Sequence, residues 1–274
     1  MSKMHHLTYI KNAIDELGSE IDSYPLKSED IRTSYLELTF SVLDLYYRQC
    51  CSLYSAKIIQ EKAIDATEDE EAVLNIFLGS VSNTTTFYSV LNNINRSLLV
   101  DSWSTFEFCL TYMCDSLFDG DAKKHLLEYD LREVDKILSK YAISEGDRRK
   151  IEKKFIKGHV THVPVVRKYG KVYSLFKDNY SGEWEEDSEF LEFYGKYRNC
   201  LHTNYLYHGN DKKYTFLGTT FIFENGEPVA HSKQPDIKEM FDLALKLKST
   251  CRKLFDAVQY TGLLPYPSDK VIQP

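Results

Sequence analysis

The sequence predicts a mainly α-helical bundle with a small β-hairpin insertion. Three observations lead there. Long segments carry apolar residues three or four positions apart, turn and capping residues separate those segments, and one late stretch reads as strand beside an Asn-Gly turn.

The first helix is expected over residues 5–22, where Leu7, Ile10, Ile14, Leu17 and Ile21 form one apolar stripe. Tyr24-Pro25 breaks it. Ser28, Glu29 and Asp30 open a second helix over 29–62, with acids placed well for a helix N-terminus. Thr67 to Glu70 has capping-box spacing and starts a third helix through Phe77. A fourth, over 97–118, is rich in aromatics and is expected to be central; Asp119-Gly120-Asp121 ends it. Shorter helices follow over 122–129, 131–141 and 145–157. The Val-rich segment 159–180, interrupted by Pro164 and Gly170, reads as a short strand or a loop. A strong helix is expected over 187–208, with Gly209-Asn210 as its stop. Residues 213–224 read as strand and Glu224-Asn225-Gly226-Glu227 as a hairpin turn. Pro235-Asp236 starts the last long helix, to Tyr260, and the tail 265–274 is expected to be poorly ordered.

With 274 residues, the chain reads as one helical domain, its core over 97–260 and its N-terminal helices 5–95 packed on that core. A chain of this size buries roughly 70–75% of its unfolded surface and needs no staples. The 20 Tyr and 15 Phe suit helix interfaces. A net charge of −7 excludes a polycation that binds nucleic acid by bulk electrostatics. Charge is uneven, however. Residues 143–172 carry nine basic residues against three acidic ones, and 176–192 carry seven acids against Lys177 alone.

Six Cys without a CxxC pair support neither a zinc ribbon nor a redox motif and read as reduced, buried side chains. The most apolar window, Leu98 to Phe118, is interrupted by Asp101, Glu107 and Asp115, which argues against a membrane span. No signal-peptide core is present near Met1, so a cytoplasmic location is expected. Gly-rich phosphate loops and nucleophile elbows are absent, and no cofactor is expected.

The residues that point to chemistry lie on the helix 187–208. Arg198 and His202, four apart, project from one face, and Asn199 borders it. A guanidinium beside an imidazole suits phosphodiester chemistry without a metal. Arg grips phosphate oxygens bidentately, and neutral His takes a proton from a ribose 2′-hydroxyl or returns one to the leaving oxygen. The plainer account of such a pair is a solvated helix face or a polar packing contact. Elsewhere, His159 and His162 offer an HxxH spacing with no third ligand nearby, and Glu183 to Glu189 read more simply as acids at a helix N-terminus than as a metal cluster. The basic run Arg148 to Lys157, with Arg148, Arg149 and Lys153, suits a solvated helix face or a track for a nucleic-acid backbone.

The wording of two segments resembles the HEPN superfamily. Lys196-Tyr197-Arg198-Asn199-Cys200-Leu201-His202-Thr203-Asn204 is similar to its signature, and Ser102-Trp103-Ser104-Thr105-Phe106-Glu107-Phe108 looks like its earlier helix. The resemblance implies a HEPN-like helical bundle that pairs as a homodimer. It implies that Arg198 contacts the scissile phosphate, His202 serves the 2′-hydroxyl or leaving group, Asn199 orients the site and Glu107 supports it. Asn204, Tyr205, Arg148, Arg149 and Lys153 would then hold RNA. The expected function is that of a metal-independent RNA endonuclease, a toxin or defence effector. The interval between Arg198 and His202 is shorter than the family's usual one. This carries the alternative of a non-catalytic HEPN-like module that binds RNA, a nucleotide or a protein partner.

Overall fold

The computed structural model describes residues 3–26, 29–62, 84–118, 140–141, 144–147, 149–150, 163–203, 205–233, 235–258 and 262–265. The expected helices 67–77, 122–129 and most of 131–141, like the tail beyond Pro265, lie outside them. Of 145–157, residues 145–147 and 149–150 are described and helical.

The apolar stripe of the first segment forms α1 (Lys3–Ser23), which buries Ile10, Ile14 and Leu17. After the break at Pro25, α2 (Ile31–Lys62) and α3 (Thr84–Leu117) make the long walls of the bundle. Tyr46 reaches Asn95 and Tyr54 meets Phe87, so the two helices run antiparallel. The expected start of α3 at residue 97 is thirteen residues late. Asn92, Asn93 and Asn95 are weak helix formers, but Phe87, Leu91 and Leu98 stay on one buried face and packing carries the helix through them.

The segment 159–180 needs a larger correction. Val165–Phe176 is a helix, α4, followed by a single 3-10 turn at Lys177–Asn179. Its buried residues, Val165, Lys168, Tyr169 and Val172, recur at helical spacing. Pro164 is the residue that caps its start, where a missing N–H costs nothing. A side chain at Gly170 would meet nothing, so that glycine interrupts nothing.

Next comes α5 (Trp184–His202), six residues shorter at its C-terminus than expected. It stops at Thr203 and Tyr205, not at Gly209. Tyr205 adopts φ 68° and its N–H bonds the Cys200 carbonyl at 2.7 Å, taking the left-handed position that glycine usually fills. The expected single strand 213–224 is two, β1 (Lys212–Phe216) and β2 (Thr219–Phe223), paired antiparallel with a short β3 (Ala230–His231) on the other edge of β2. The Asn225-Gly226 turn lies between β2 and β3, with Gly226 at φ 81°. Tyr214, Phe221 and Phe223 bury one face of this sheet against Phe193 and Tyr197 of α5. Each such buried aromatic contributes roughly 1.5–3 kcal/mol of transfer free energy.

Leu217 and Gly218 form the β1–β2 turn with φ 52° and 74°. Two positive values in a two-residue turn suit Asn-Gly far better than Leu-Gly. Leu217 is 47% exposed, so its side chain contributes little packing. Leu217→Asn is therefore expected to raise stability by about 0.5–1 kcal/mol. Urea unfolding should show a higher midpoint at unchanged slope, and an unchanged midpoint would refute the strain at this turn.

Finally α6 (Ile237–Ala257) begins with a complete capping box between Asp236 and Glu239 and buries Phe241, Leu247 and Phe255. It packs on α1, α2, α3, α4 and α5, while α3 packs on α2, α4, α5 and α6. These two helices are the centre of the bundle. No described helix is long and apolar enough to cross a membrane.

Candidate functional site

Helix α5 carries the residues of interest, and two features fix its position. Asp187, in its first turn and 4% exposed, accepts hydrogen bonds from the Tyr180 hydroxyl at 2.7 Å, Thr250 at 3.2 Å and the Lys253 ammonium at 2.8 Å. This ties the helix start to the preceding turn and to α6. Midway along, a Cβ on Gly195 would stand 3.0 Å from the Trp103 ring of α3. Glycine here lets α5 settle directly on that indole, which also stacks on Tyr194 at 5.9 Å between ring centres.

This approach leaves a cleft of about 720 Å³ between α3, α4 and α5. Trp103, Val165 and Tyr169 form its apolar part. Burial pushes the Tyr169 phenol up to about 12, so it stays a hydrogen-bond donor at neutral pH. The charged lining is Glu107, Glu185, Glu189 and Glu192 against Lys196 and Arg198. The Lys196 and Lys212 ammonium groups lie 2.7 and 2.8 Å from the Glu192 carboxylate. Burial alone would raise that carboxyl, but the two lysines prevail and hold it below its ordinary value. Lys196 is thereby committed, and the cleft is acidic on balance.

Arg198 is partly buried. Its Nη1 donates to Asn199 Oδ1 at 3.1 Å, and its Nε is buried with no hydrogen-bond partner among the described residues. Arg198, Asn199 and Glu107 therefore share one cleft. His202 does not join them. It is the exposed last residue of α5, and no histidine stands among the described residues that line the cleft.

Other expected contacts scatter. Tyr205 has left the helix and sits under the Arg96 guanidinium at 5.8 Å, lining a separate cavity on the opposite side of α5. Arg149 is exposed and paired with Glu145 at 3.3 Å. Arg148, Lys153, Asn204 and the His159–His162 pair lie outside the described residues. Glu185, Glu186 and Asp187 occupy the first turn of α5, as acids at a helix start should. Among the described residues no three His, Cys, Asp or Glu groups come together in a way that would hold a metal. The six cysteines are free thiols, five of them buried, and burial pushes Cys50 and Cys109 up to about 12.

Sequence reasoning missed the α4 wall, the Trp103–Gly195 seat and the Asp187 anchor. The spacing of Val165, Lys168, Tyr169 and Val172 was the available signal for the first; the other two are long-range contacts with no local mark. No family model, curated protein or solved structure matches the chain.

Proposed function

We propose that this chain is a non-catalytic HEPN-like binding module whose cleft between α3, α4 and α5 receives a basic segment of a partner protein. One observation carries the reading: Arg198 and Asn199 line a cleft with four glutamates, while His202 stays outside it. A polyanion entering such a cleft meets like charge, whereas a Lys- or Arg-bearing peptide meets complementary charge and an apolar floor at Trp103 and Tyr169. The HEPN resemblance is supported by the adjacency of the two similar segments, since Glu107 on α3 and Arg198 on α5 border one space.

A second reading, the HEPN-type ribonuclease acting as a homodimeric toxin or defence effector in the cytoplasm, draws support from the Arg198 guanidinium. It has no carboxylate partner among the described residues and a buried Nε without a hydrogen bond. In that reading His202 would need to reach the phosphate that Arg198 holds.

One pair of assays separates them. Purified wild type and His202→Ala are incubated with a mixed RNA pool in EDTA and scored for cleavage and 2′,3′-cyclic phosphate ends. Binding of labelled oligo-lysine is followed by fluorescence anisotropy in wild type and in Glu185→Gln/Glu189→Gln. The expected result is no cleavage, and peptide binding weakened about tenfold in the double variant and by added salt. Cleavage by wild type and not by His202→Ala would replace the binding module with the nuclease. Peptide binding unaffected by the double variant would remove the cleft from the account.

A further inference from the structure

The far side of α5 holds a second cavity of about 200 Å³, closed by α3, the C-terminal turn of α5, and β3. Its charge is the opposite of the first. Among its described lining residues there is no Asp or Glu, and Arg96 is the cation. In a chain of net charge −7, a cavity free of carboxylates around an arginine that itself has no described carboxylate partner is a local exception. The Arg96 guanidinium lies over the Tyr205 ring, which leaves its edge available to an anion.

Asn95 adds an independent pointer. It is 8% exposed, and one arm of its carboxamide meets the Tyr46 hydroxyl at 2.9 Å. The other arm has no hydrogen bond among the described residues, and Asn95 lines the cavity. The amide nitrogen can donate to a molecule that enters the cavity. On the opposite wall the Tyr197 hydroxyl lies 2.9 Å from His231 Nε2, and burial lowers the His231 pKa, so this polar pair is neutral at pH 7. The left-handed turn that ends α5 at Tyr205 carries its ring to this place.

Size limits the ligand. A cavity of about 150 Å³ accommodates benzene, and drug-sized molecules need about 300 Å³ or more. We infer that this cavity binds a small monoanionic aromatic carboxylate with a single ring, its carboxylate on Arg96 and the Asn95 amide and its ring between Tyr205 and Leu99. The site is separate from the acidic cleft and does not depend on what the cleft binds.

Isothermal titration of the full chain with sodium benzoate tests this, with benzamide and inorganic phosphate as controls. Saturable one-to-one binding of benzoate is expected, with benzamide and phosphate each much weaker. Arg96→Leu and the milder Arg96→Gln should weaken benzoate by about tenfold to a hundredfold, the worth of a hydrogen bond to a charged group. Tyr205→Gly relieves the backbone while removing the ring, so it should fold normally and bind poorly. Failure of benzoate to bind, wild-type affinity in both Arg96 variants, or phosphate matching benzoate would each overturn the assignment.

Discussion

Asp30→Ala is expected to destabilise the protein by about 3–5 kcal/mol and to lower its melting temperature by on the order of 10 °C. Asp30 and Arg32 are 1% and 5% exposed and face each other at the start of α2. The pair is bidentate, with Arg32 Nε and Nη2 each 2.7 Å from a carboxylate oxygen. It also reaches beyond α2. Arg32 Nη1 donates to the Val258 carbonyl at 3.1 Å, and the Leu264 N–H donates to Asp30 at 3.2 Å. Together with the Ile31–Leu264 backbone bond at 2.8 Å, these contacts pin the chain after α6 to the start of α2. Removing the carboxylate strands a buried guanidinium and releases Leu264, which is fully buried. A buried pair of this kind need not outperform a hydrophobic substitute, yet breaking one partner alone is costly.

The same pair sets a pH dependence. Burial would raise the Asp30 pKa, but the Arg32 guanidinium and two backbone N–H groups outweigh it and hold the carboxyl below its ordinary value. The folded state thus prefers the ionised form more strongly than the unfolded chain does. Its stabilisation is complete above the unfolded value of about 3.9 and is lost as pH falls through the lower folded value. The stability difference between wild type and Asp30→Asn should be constant from neutral pH to about pH 5 and shrink below about pH 4. A difference that stays constant down to pH 3 would contradict the assignment.

The residues that made the fold legible were those whose signal is local. Ile10, Ile14 and Leu17 mark α1 by spacing, Pro235-Asp236 marks the start of α6, and both elements lie where expected. Errors arose where local chemistry argued against the final structure. The valines around Pro164 and Gly170 suggest a short strand or a loop, although the buried face of α4 repeats at helical intervals. Leu217 is a poor turn residue, so the sequence across the β1–β2 turn reads as continuous strand. Tyr205 ends α5 in a conformation that favours glycine, so the sequence predicts a helix six residues longer than the one observed. That last difference bears most on function, because it takes Tyr205 off the helix and leaves His202 at its end. Glu185, Glu189 and Glu192 share one face of α5 with Arg198 at helical spacing, whereas Glu107 reaches the cleft from α3. That last approach, like the α4 wall, is a property of packing and is invisible in a linear reading.

Asp187→Ala is the second large effect, expected at about 2–3 kcal/mol. Its magnitude falls below that of Asp30 because Lys253 is 35% exposed, and water screens and replaces part of that ion pair. The larger loss comes from the neutral partners. Thr250 is 2% exposed and would keep a buried hydroxyl without its carboxylate acceptor, and the Tyr180 phenol, raised by burial and by Asp187, would lose the group that it donates to. Glu183, at the N-cap of α5, makes no side-chain capping bond, so Asp187 is the acid that both complements the helix dipole and anchors the first turn. Asp187→Asn keeps an acceptor oxygen and should retain about half of the stability lost by Ala. The consequence extends to the cleft, since Glu185, Ser188 and Glu189 lie in the same two turns. Hydrogen exchange of amides 184–189 should quicken in Asp187→Ala, and oligo-lysine binding should weaken more than in Asp187→Asn, whose first turn stays in place. If exchange in this segment matches wild type while global stability falls, Asp187 serves α6 and the cleft wall is held by Trp103 and Gly195 alone.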